Sequence, residues 1–192
     1  KHLKMFVHAE QLHEFDQYNT GDLTLFVRLG TDFTNNYYEY ELPLTFTPWY
    51  TGYSSEELIW PENNNVDIDL ERLVKVKENR NARIRANDNT VSSTIPYYEI
   101  IDGKKMTVVG MPNIAGVKVL MIGIRNPKKQ NLNDDDDMLP KSAEIWINEL
   151  RLTDFNRSGG WAATGFARTN LADLGDISFS ASHRSAGFAS LD

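Results

Sequence analysis

The residues with the clearest potential for chemistry form an acidic run in the second half of the chain. Asp134–Asp137 follow Asn131 and Asn133, so oxygen ligands occur at alternate positions, as in a Ca²⁺-binding loop. The glycine and the distal bidentate glutamate of an EF-hand are missing, because Ser142 stands where that glutamate would fall. A solvated surface loop is the favoured interpretation, and Ca²⁺ binding stays open.

Histidines and glutamates also gather near the start of the chain. Four ligand-type side chains lie close together in sequence: His8, Glu10, His13 and Glu14. They do not form the H-E-x-x-H pattern of a zinc-binding helix, and His13 falls in the loop after the strand that carries His8. We expect ordinary surface residues here. The sequence thus predicts no metal site and no cofactor.

Enzyme motifs do not occur in the sequence. There is no P-loop, no dinucleotide fingerprint, no G-x-S-x-G and no cysteine among the 192 residues. No pattern assembles a nucleophile, a base and an oxyanion hole, so we predict that the chain has no catalytic residues and is not an enzyme. The net charge of −7 argues against nucleic-acid binding, which needs clustered positive charge.

The elements that would position these residues are mostly strands. Period-two alternation with β-branched and aromatic residues is the signal. It predicts six strands, near Lys4–Ala9, Leu23–Gly30, Tyr37–Leu44, Lys105–Met111, Lys118–Arg125 and Ala143–Leu152. In the last strand, Ile145, Ile147 and Glu149 would share one face. Six strands with long connections indicate a two-sheet sandwich.

One helix interrupts the β pattern. Asn65 or Asp67 would cap it, and its buried stripe would include Leu70, Leu73 and Val74. It would end near residue 81. Its basic side chains are interpreted as a solvated helix face: Arg72, Lys75, Lys77, Arg80, Arg83 and Arg85.

The chain changes character near Gly159. From there to Asp192 it has no lysine, and over half of its residues are Gly, Ala, Ser or Thr. Two alternating segments follow, near Trp161–Ala172 and Asp176–Arg184, joined by a short turn. Strands of outer-membrane β-barrels have this composition, but two further strands of a soluble sheet also fit the pattern.

Several runs together resemble one family, the SprA/Sov cell-surface proteins of Bacteroidetes, over nearly the whole chain. The most distinctive is IWINELRLTDF leading into GGWAA, where the resemblance implies that a soluble strand passes into barrel wall. The runs are KMFVHAE at 4–10, LFVRLGTDFTNNYYEYELPL at 25–44, WPENNNVDIDLERLVKVKENRN at 60–81, MPNIAGVKVLMIGIRNP at 111–127, LPKSAEIWINELRLTDF at 139–155 and GGWAATGFARTNLADLG at 159–175.

The resemblance implies a fragment of the outer-membrane translocon of the type IX secretion system, which in some species also serves gliding motility. Residues 1–155 would be a soluble insertion domain, a jelly-roll or galactose-binding-like β-sandwich with one inserted helix. Residues 156–192 would start the barrel wall. The implied partners are a PorV-like outer-membrane protein, a plug protein, secreted cargo proteins and outer-membrane lipid.

Within the barrel-like segments, alternation predicts which side chains face water. The polar set would line the pore lumen: Thr164, Arg168, Asn170, Ser178 and Ser180. Trp161 and Phe179 would face lipid or its interface. A β-bulge would exchange the two faces.

The alternative hypothesis is a secreted carbohydrate-binding β-sandwich. It relies on the jelly-roll-like pattern and on the aromatic residues between Trp49 and Trp60, where Trp49 and Tyr50 offer a stacking surface. Packing of a long loop explains the same aromatics and is the favoured interpretation. A sugar-binding module also leaves the small-residue alternation after Gly159 unexplained.

Overall fold

A computed structural model describes residues 1–49, 55–127, 139–154 and 160–185. The contacts between Cα atoms divide the chain into two units, residues 1–154 and residues 155–192. The acidic run at Asp134–Asp137 and the aromatic residues Tyr50 and Tyr53 lie outside the described residues.

The first unit is built from two antiparallel sheets, as the predicted sandwich requires. One has the strand order β4-β1-β8 and the other the order β5-β6-β3-β2-β7. The strands are β1 His2–Gln11, β2 Thr24–Gly30, β3 Tyr37–Pro43, β4 Val66–Asp69, β5 Tyr97–Ile101, β6 Lys104–Val109, β7 Val119–Arg125 and β8 Ala143–Thr153.

All six predicted strands are present, and two more were not predicted. β4 has only four residues, and one of them, Asp67, was interpreted as a helix cap. β5 mixes tyrosine, glutamate and isoleucine without clear alternation, so its sequence gives a weak period-two signal. Both strands lie at sheet edges, where pairing on one side suffices.

The core lies between the two sheets and follows the alternation of each strand. Each strand directs every second side chain inward, because successive residues point to opposite faces. The inward residues include Leu3, Met5, Val7 and Ala9 of β1, Leu25, Val27 and Leu29 of β2, Tyr38, Tyr40 and Leu42 of β3, and Met106 and Val108 of β6. Burial of these side chains is the main stabilising contribution to the unit.

The predicted helix is present but lies about four residues further along the chain. Helix α1 (Glu56–Ile59) is a single turn, and the main helix α2 spans Leu70–Arg85. Its N-cap is Asp69, whose side chain accepts a hydrogen bond from the Glu71 amide at 3.0 Å. The predicted caps were wrong because residues 66–69 first form β4. Among the positions on its inner side, Leu73 and Val76 are buried, and Val74 is only half-buried.

A β-bulge interrupts β8. Lys4 pairs with Arg151 and Phe6 with Asn148, so two residues of β8 lie opposite Met5. Glu149, at the bulge, has a φ of 55°. The predicted alternation therefore holds for Ile145 and Ile147 but breaks at Glu149, and the next residue of β8 that pairs with a core residue of β1 is Leu152, opposite Leu3.

The second unit contains two described strands, β9 (Ala162–Asn170) and β10 (Asp176–Arg184). They pair antiparallel over their whole length, and a 3-10 turn at Ala172–Leu174 joins them. The two segments predicted from alternation are thus strands. Among the described residues they form a two-stranded sheet and no closed barrel.

Candidate functional site

The pairing register of β9 and β10 gives this hairpin two unlike faces. Arg168 pairs with Ser178 and Asn170 with Asp176, so these residues share one face. All five side chains predicted to face the lumen lie on that face: Thr164, Arg168, Asn170, Ser178 and Ser180. Phe166, which pairs with Ser180, also lies on this face, as strict alternation requires, but the predicted polar set did not include it.

The opposite face of the hairpin is apolar. Phe179 pairs with Ala167, and Ala181 pairs with Gly165, so one large ring is surrounded by small residues. At the open end of the hairpin, the ring centroid of Trp161 lies 4.7 Å from that of His183. This face therefore has the composition expected for contact with hydrocarbon, with an aromatic pair at one end.

Both faces of the hairpin are exposed. Every residue of β9 and β10 is in the exposed class, including Phe166 at 71% and Phe179 at 66%. A two-stranded ribbon is marginally stable in water because it buries little apolar surface. The hairpin therefore needs a further neighbour or a non-aqueous environment to be stable.

The polar face carries its own small electrostatic network near the turn. Arg168 Nη2 lies 3.3 Å from one oxygen of Asp176, and Asn170 Nδ2 donates to the other at 2.9 Å. Because both charged side chains are exposed, the ion pair contributes little to the stability of the hairpin. Its effect is to hold a positive and a negative group together on a face whose other side chains are mostly hydroxyls.

The histidine–glutamate group near the start of the chain is only partly a surface feature. His13 and Glu14 are exposed, as expected, but His8 is only 4% exposed. His8 Nδ1 is hydrogen-bonded to the Ile59 carbonyl, and its ring lies against those of Trp60 and Trp146. His8 thus has a packing role that the sequence did not reveal. Among the described residues, no group of three acidic, His or Cys side chains is placed to hold a metal ion.

The aromatic region divides between core and loop packing. Tyr38 and Tyr40 are buried, as predicted. Trp60 makes edge-on ring contacts with Phe6 and His8, which is the loop packing that was favoured over a sugar platform. Trp49 is half-exposed, and its neighbour in the hypothesised platform, Tyr50, lies outside the described residues.

The basic residues of α2 do not form one solvated face. Arg72 binds Asp102 at 2.6 Å, and Lys77 donates to the Pro112 carbonyl at 2.7 Å. Arg80 is fully buried, and burial lowers the pKa of its guanidinium. The prediction of a solvated patch is therefore wrong at Arg80, because this position lies on the inner side of the helix one turn after Val76.

Comparison with known proteins gives one clear result. A family model, SprA_N, described as a motility related/secretion protein, matches residues 1–192. A search of curated proteins finds no match. In the part of the chain that the structure describes, no helix is both long and apolar enough to cross a membrane.

Proposed function

The chain belongs to the SprA_N family of motility-related secretion proteins, and from this premise we propose that it is part of the outer-membrane translocon of type IX secretion. Family membership itself indicates a cell-envelope protein that takes part in secretion or motility. In the proposal, residues 156–192 start the wall of the protein-conducting barrel. Residues 1–155 are a non-catalytic domain that this wall carries.

The observation that carries the proposal is the pair of unlike, exposed faces on β9 and β10. Phe179 and Ala181 would contact lipid, and Ser178 and Ser180 would face a water-filled lumen. Inside a bilayer every backbone N–H and C=O must be bonded, so further strands would pair with both free edges of the hairpin. The exposed ring of Phe179 would then be covered by acyl chains.

The proposed mechanism is mechanical. A lumen lined mainly with hydroxyl, amide and guanidinium groups, with Phe166 as the one large apolar side chain of this face among the described residues, offers a folded cargo protein little apolar surface to bind. Arg168 and Asp176 bring opposite charges onto that surface in equal number. By resemblance, the partners are a PorV-like outer-membrane protein, a plug protein and secreted cargo, and the same machinery would support gliding motility in some species.

The face assignment can be tested with neighbouring cysteines, because the chain has none of its own. Ser180→Cys and Ala181→Cys are introduced separately into the full-length protein that carries this chain, in its native membrane. These adjacent positions lie on opposite faces. We expect a membrane-impermeant maleimide to label Cys at position 180 and a lipid-soluble maleimide to label Cys at position 181. Equal labelling of both by the impermeant reagent would contradict a barrel wall.

The partner assignment needs a separate measurement. The tagged full-length protein is purified from native outer membranes in mild detergent, and the co-purifying proteins are identified by mass spectrometry. We expect a large complex that contains a barrel protein of the PorV type and exported cargo. A monomer that leaves the membrane fraction without detergent would contradict the translocon proposal.

A further inference from the structure

The two sides of the sandwich in the first unit are closed differently. Helix α2 packs against β4 of one sheet and against β5 and β6 of the other, so it covers the side on which these strands lie. On the opposite side the sheets end in β8 and β7. Among the described residues, neither of these two strands has a partner on its outer edge. The sandwich is therefore open along β7 and β8.

The inward side chains of β7 are incompletely buried. Three of them pair with core residues of β2: Leu120 with Leu29, Ile122 with Val27 and Ile124 with Leu25. Directly paired residues share a face, so the side chains of these β7 residues point into the sandwich. Leu120 is nevertheless 39% and Ile124 38% exposed, whereas their three partners in β2 are at most 5% exposed. One further strand at this edge would complete their burial.

The same three residues of β7 carry free backbone groups. In an antiparallel sheet, alternate residues direct their N–H and C=O towards opposite neighbours. The Leu44 amide donates to the Leu23 carbonyl at 3.0 Å, in the register of β2 and β3, so the odd-numbered residues of β2 bond to β3 and the even-numbered ones to β7. These pair with odd-numbered residues of β7. The even-numbered residues of β7 therefore direct their N–H and C=O outward, and no described group bonds to them.

This edge is complementary to itself. β7 keeps one register with β2 over all seven of its residues, so its outer edge is regular. A two-fold axis at Ile122 would set two copies of β7 antiparallel, with Ile122 opposite its counterpart and Leu120 opposite Ile124. The outward N–H and C=O groups of these residues would then bond in pairs, and their apolar side chains would meet on the inner face.

The outer face of such a pair also fits. Met121 would lie opposite Gly123 of the second copy. The ring of Phe26 lies over that glycine, because a Cβ added at Gly123 would come within 2.5 Å of it. The Met121 thioether would therefore approach an aromatic ring, which is a favourable contact. Arg125 would lie opposite Val119, so no like charges would be directly paired.

We propose that the outer edge of β7 is a homodimer interface, at which two copies of this chain join their five-stranded sheets into one sheet of ten strands. Two-fold pairing of one surface with itself is the commonest form of protein association. Because the contact is a single strand pair, the dimer is weak and reversible. The interface lies in the first unit, so it does not depend on the translocon proposal.

Sedimentation equilibrium of the 192-residue chain tests the association. The chain carries Phe166→Ser and Phe179→Ser, which remove the two large exposed rings of the hairpin strands and with them self-association through the hairpin. We expect a monomer–dimer equilibrium with a Kd of about 100 µM. Ile124→Lys would place an ammonium group opposite Leu120 of the second copy and should weaken the dimer at least about ten-fold. Ile100→Lys is the control: it changes an exposed residue on the other edge strand of the same sheet and should leave the Kd unchanged.

Cysteine cross-linking tests the register, because the chain has no cysteine of its own. In the proposed pair, Met121→Cys is a diagonal neighbour of its counterpart, at about 7–8 Å. Val119→Cys lies on the same face but about 20 Å from its counterpart along the strands. We expect a short bismaleimide to cross-link the variant at position 121 and not the one at position 119.

Three results would overturn the inference. The first is a chain that stays monomeric up to about 1 mM, which would leave this edge to a strand of another protein. The second is an equal effect of Ile124→Lys and Ile100→Lys on the Kd. The third is equal cross-linking of Met121→Cys and Val119→Cys, which would show that the copies meet without the two-fold register.

Discussion

Glu39 accepts two hydrogen bonds from the guanidinium group of Arg28, at 2.9 Å from Nε and 2.6 Å from Nη2. Its other carboxylate oxygen accepts a third, at 2.9 Å from Arg125. Glu39 lies on the sheet face away from the core, yet only 5% of it is exposed. Both guanidinium groups also lie over the ring of Phe26, which shields the carboxylate from water.

Glu39→Gln should lower the free energy of unfolding by about 2 kcal/mol, because it leaves two guanidinium groups without their shared carboxylate. The cost stays below that of a fully buried pair, since both arginines are partly exposed. Urea denaturation of the wild type and the variant measures this change in the free energy of unfolding. Glu78→Gln is the control: the exposed Lys75–Glu78 pair should be worth less than about 0.5 kcal/mol. Equal costs would contradict a special role for Glu39.

Gly110→Ala should destabilise the first unit by more than about 3 kcal/mol. Gly110 has a φ of +68°, and an added Cβ would lie 1.9 Å from the backbone oxygen of Asn35. Gly103 has a similar φ of +73° but open space around it. Gly103→Ala should therefore cost only the conformational strain, about 1–2 kcal/mol. Thermal unfolding of both variants separates the steric cost, which only Gly110→Ala has, from the conformational strain that both share. Similar losses of stability in the two variants would contradict the close approach of the Asn35 backbone to Gly110.

Tyr40→Phe should leave the protein as stable as the wild type or slightly more stable, because it removes a buried hydroxyl that has no partner among the described residues. Tyr38→Phe should cost about 1 kcal/mol, since it breaks the bond to Pro112. Denaturation curves give both values. A larger loss for Tyr40→Phe than for Tyr38→Phe would mean that the Tyr40 hydroxyl is satisfied within the protein.

Asp88 should make stability depend on pH in the acidic range. Hydrogen bonds from the Thr90 hydroxyl and amide, together with Arg83, lower the pKa of Asp88 to about 2 from 3.8. A carboxyl whose pKa is depressed by folding stabilises the protein fully above the unfolded value and loses that effect as pH falls towards the folded one. The Tm difference between wild type and Asp88→Asn should therefore shrink between pH 3.8 and pH 2. A difference that is constant across this range would contradict the linkage.

The hairpin should be the least protected part of the described structure in water. We expect the amides of β9 and β10 to exchange hydrogen much faster than those of β2 and β3, because a two-stranded ribbon opens easily. Detergent micelles should slow exchange in the hairpin and leave β2 and β3 unchanged. Exchange as slow as that of β2 in detergent-free buffer would show that the hairpin is stable without lipid.

The strands were predictable where one face of a sheet is buried, because burial forces strict alternation on the sequence. Leu25, Val27 and Leu29 alternate with polar or aromatic outward residues, and β2 was placed within one residue. The same rule failed at β4, where four residues alternate Val-Asp-Ile-Asp and the aspartates also suit a helix start. Sequence signals for an edge strand and a helix cap overlap at this point, and tertiary pairing with β1 decides between them.

Some residues of the candidate sites could likewise be predicted from the sequence, and others could not. The polar face of β9 and β10 followed from alternation, because no bulge interrupts these two strands. The buried positions of His8 and Arg80 did not follow, since both residues have polar side chains whose usual place is the surface.

The bulge at Glu149 has a consequence for self-association. β8 is the outer strand of its sheet among the described residues, and a regular outer strand is a template for further copies of a chain. In the bulge, two residues of β8 lie opposite the single residue Met5 of β1. A strand that added to the outer edge of β8 would need a matching irregularity. Without it, its apolar side chains beyond the bulge would point to the opposite face of the sheet. The left-handed backbone at Glu149 therefore makes the outer edge of β8 a poorer template for a second copy of the chain.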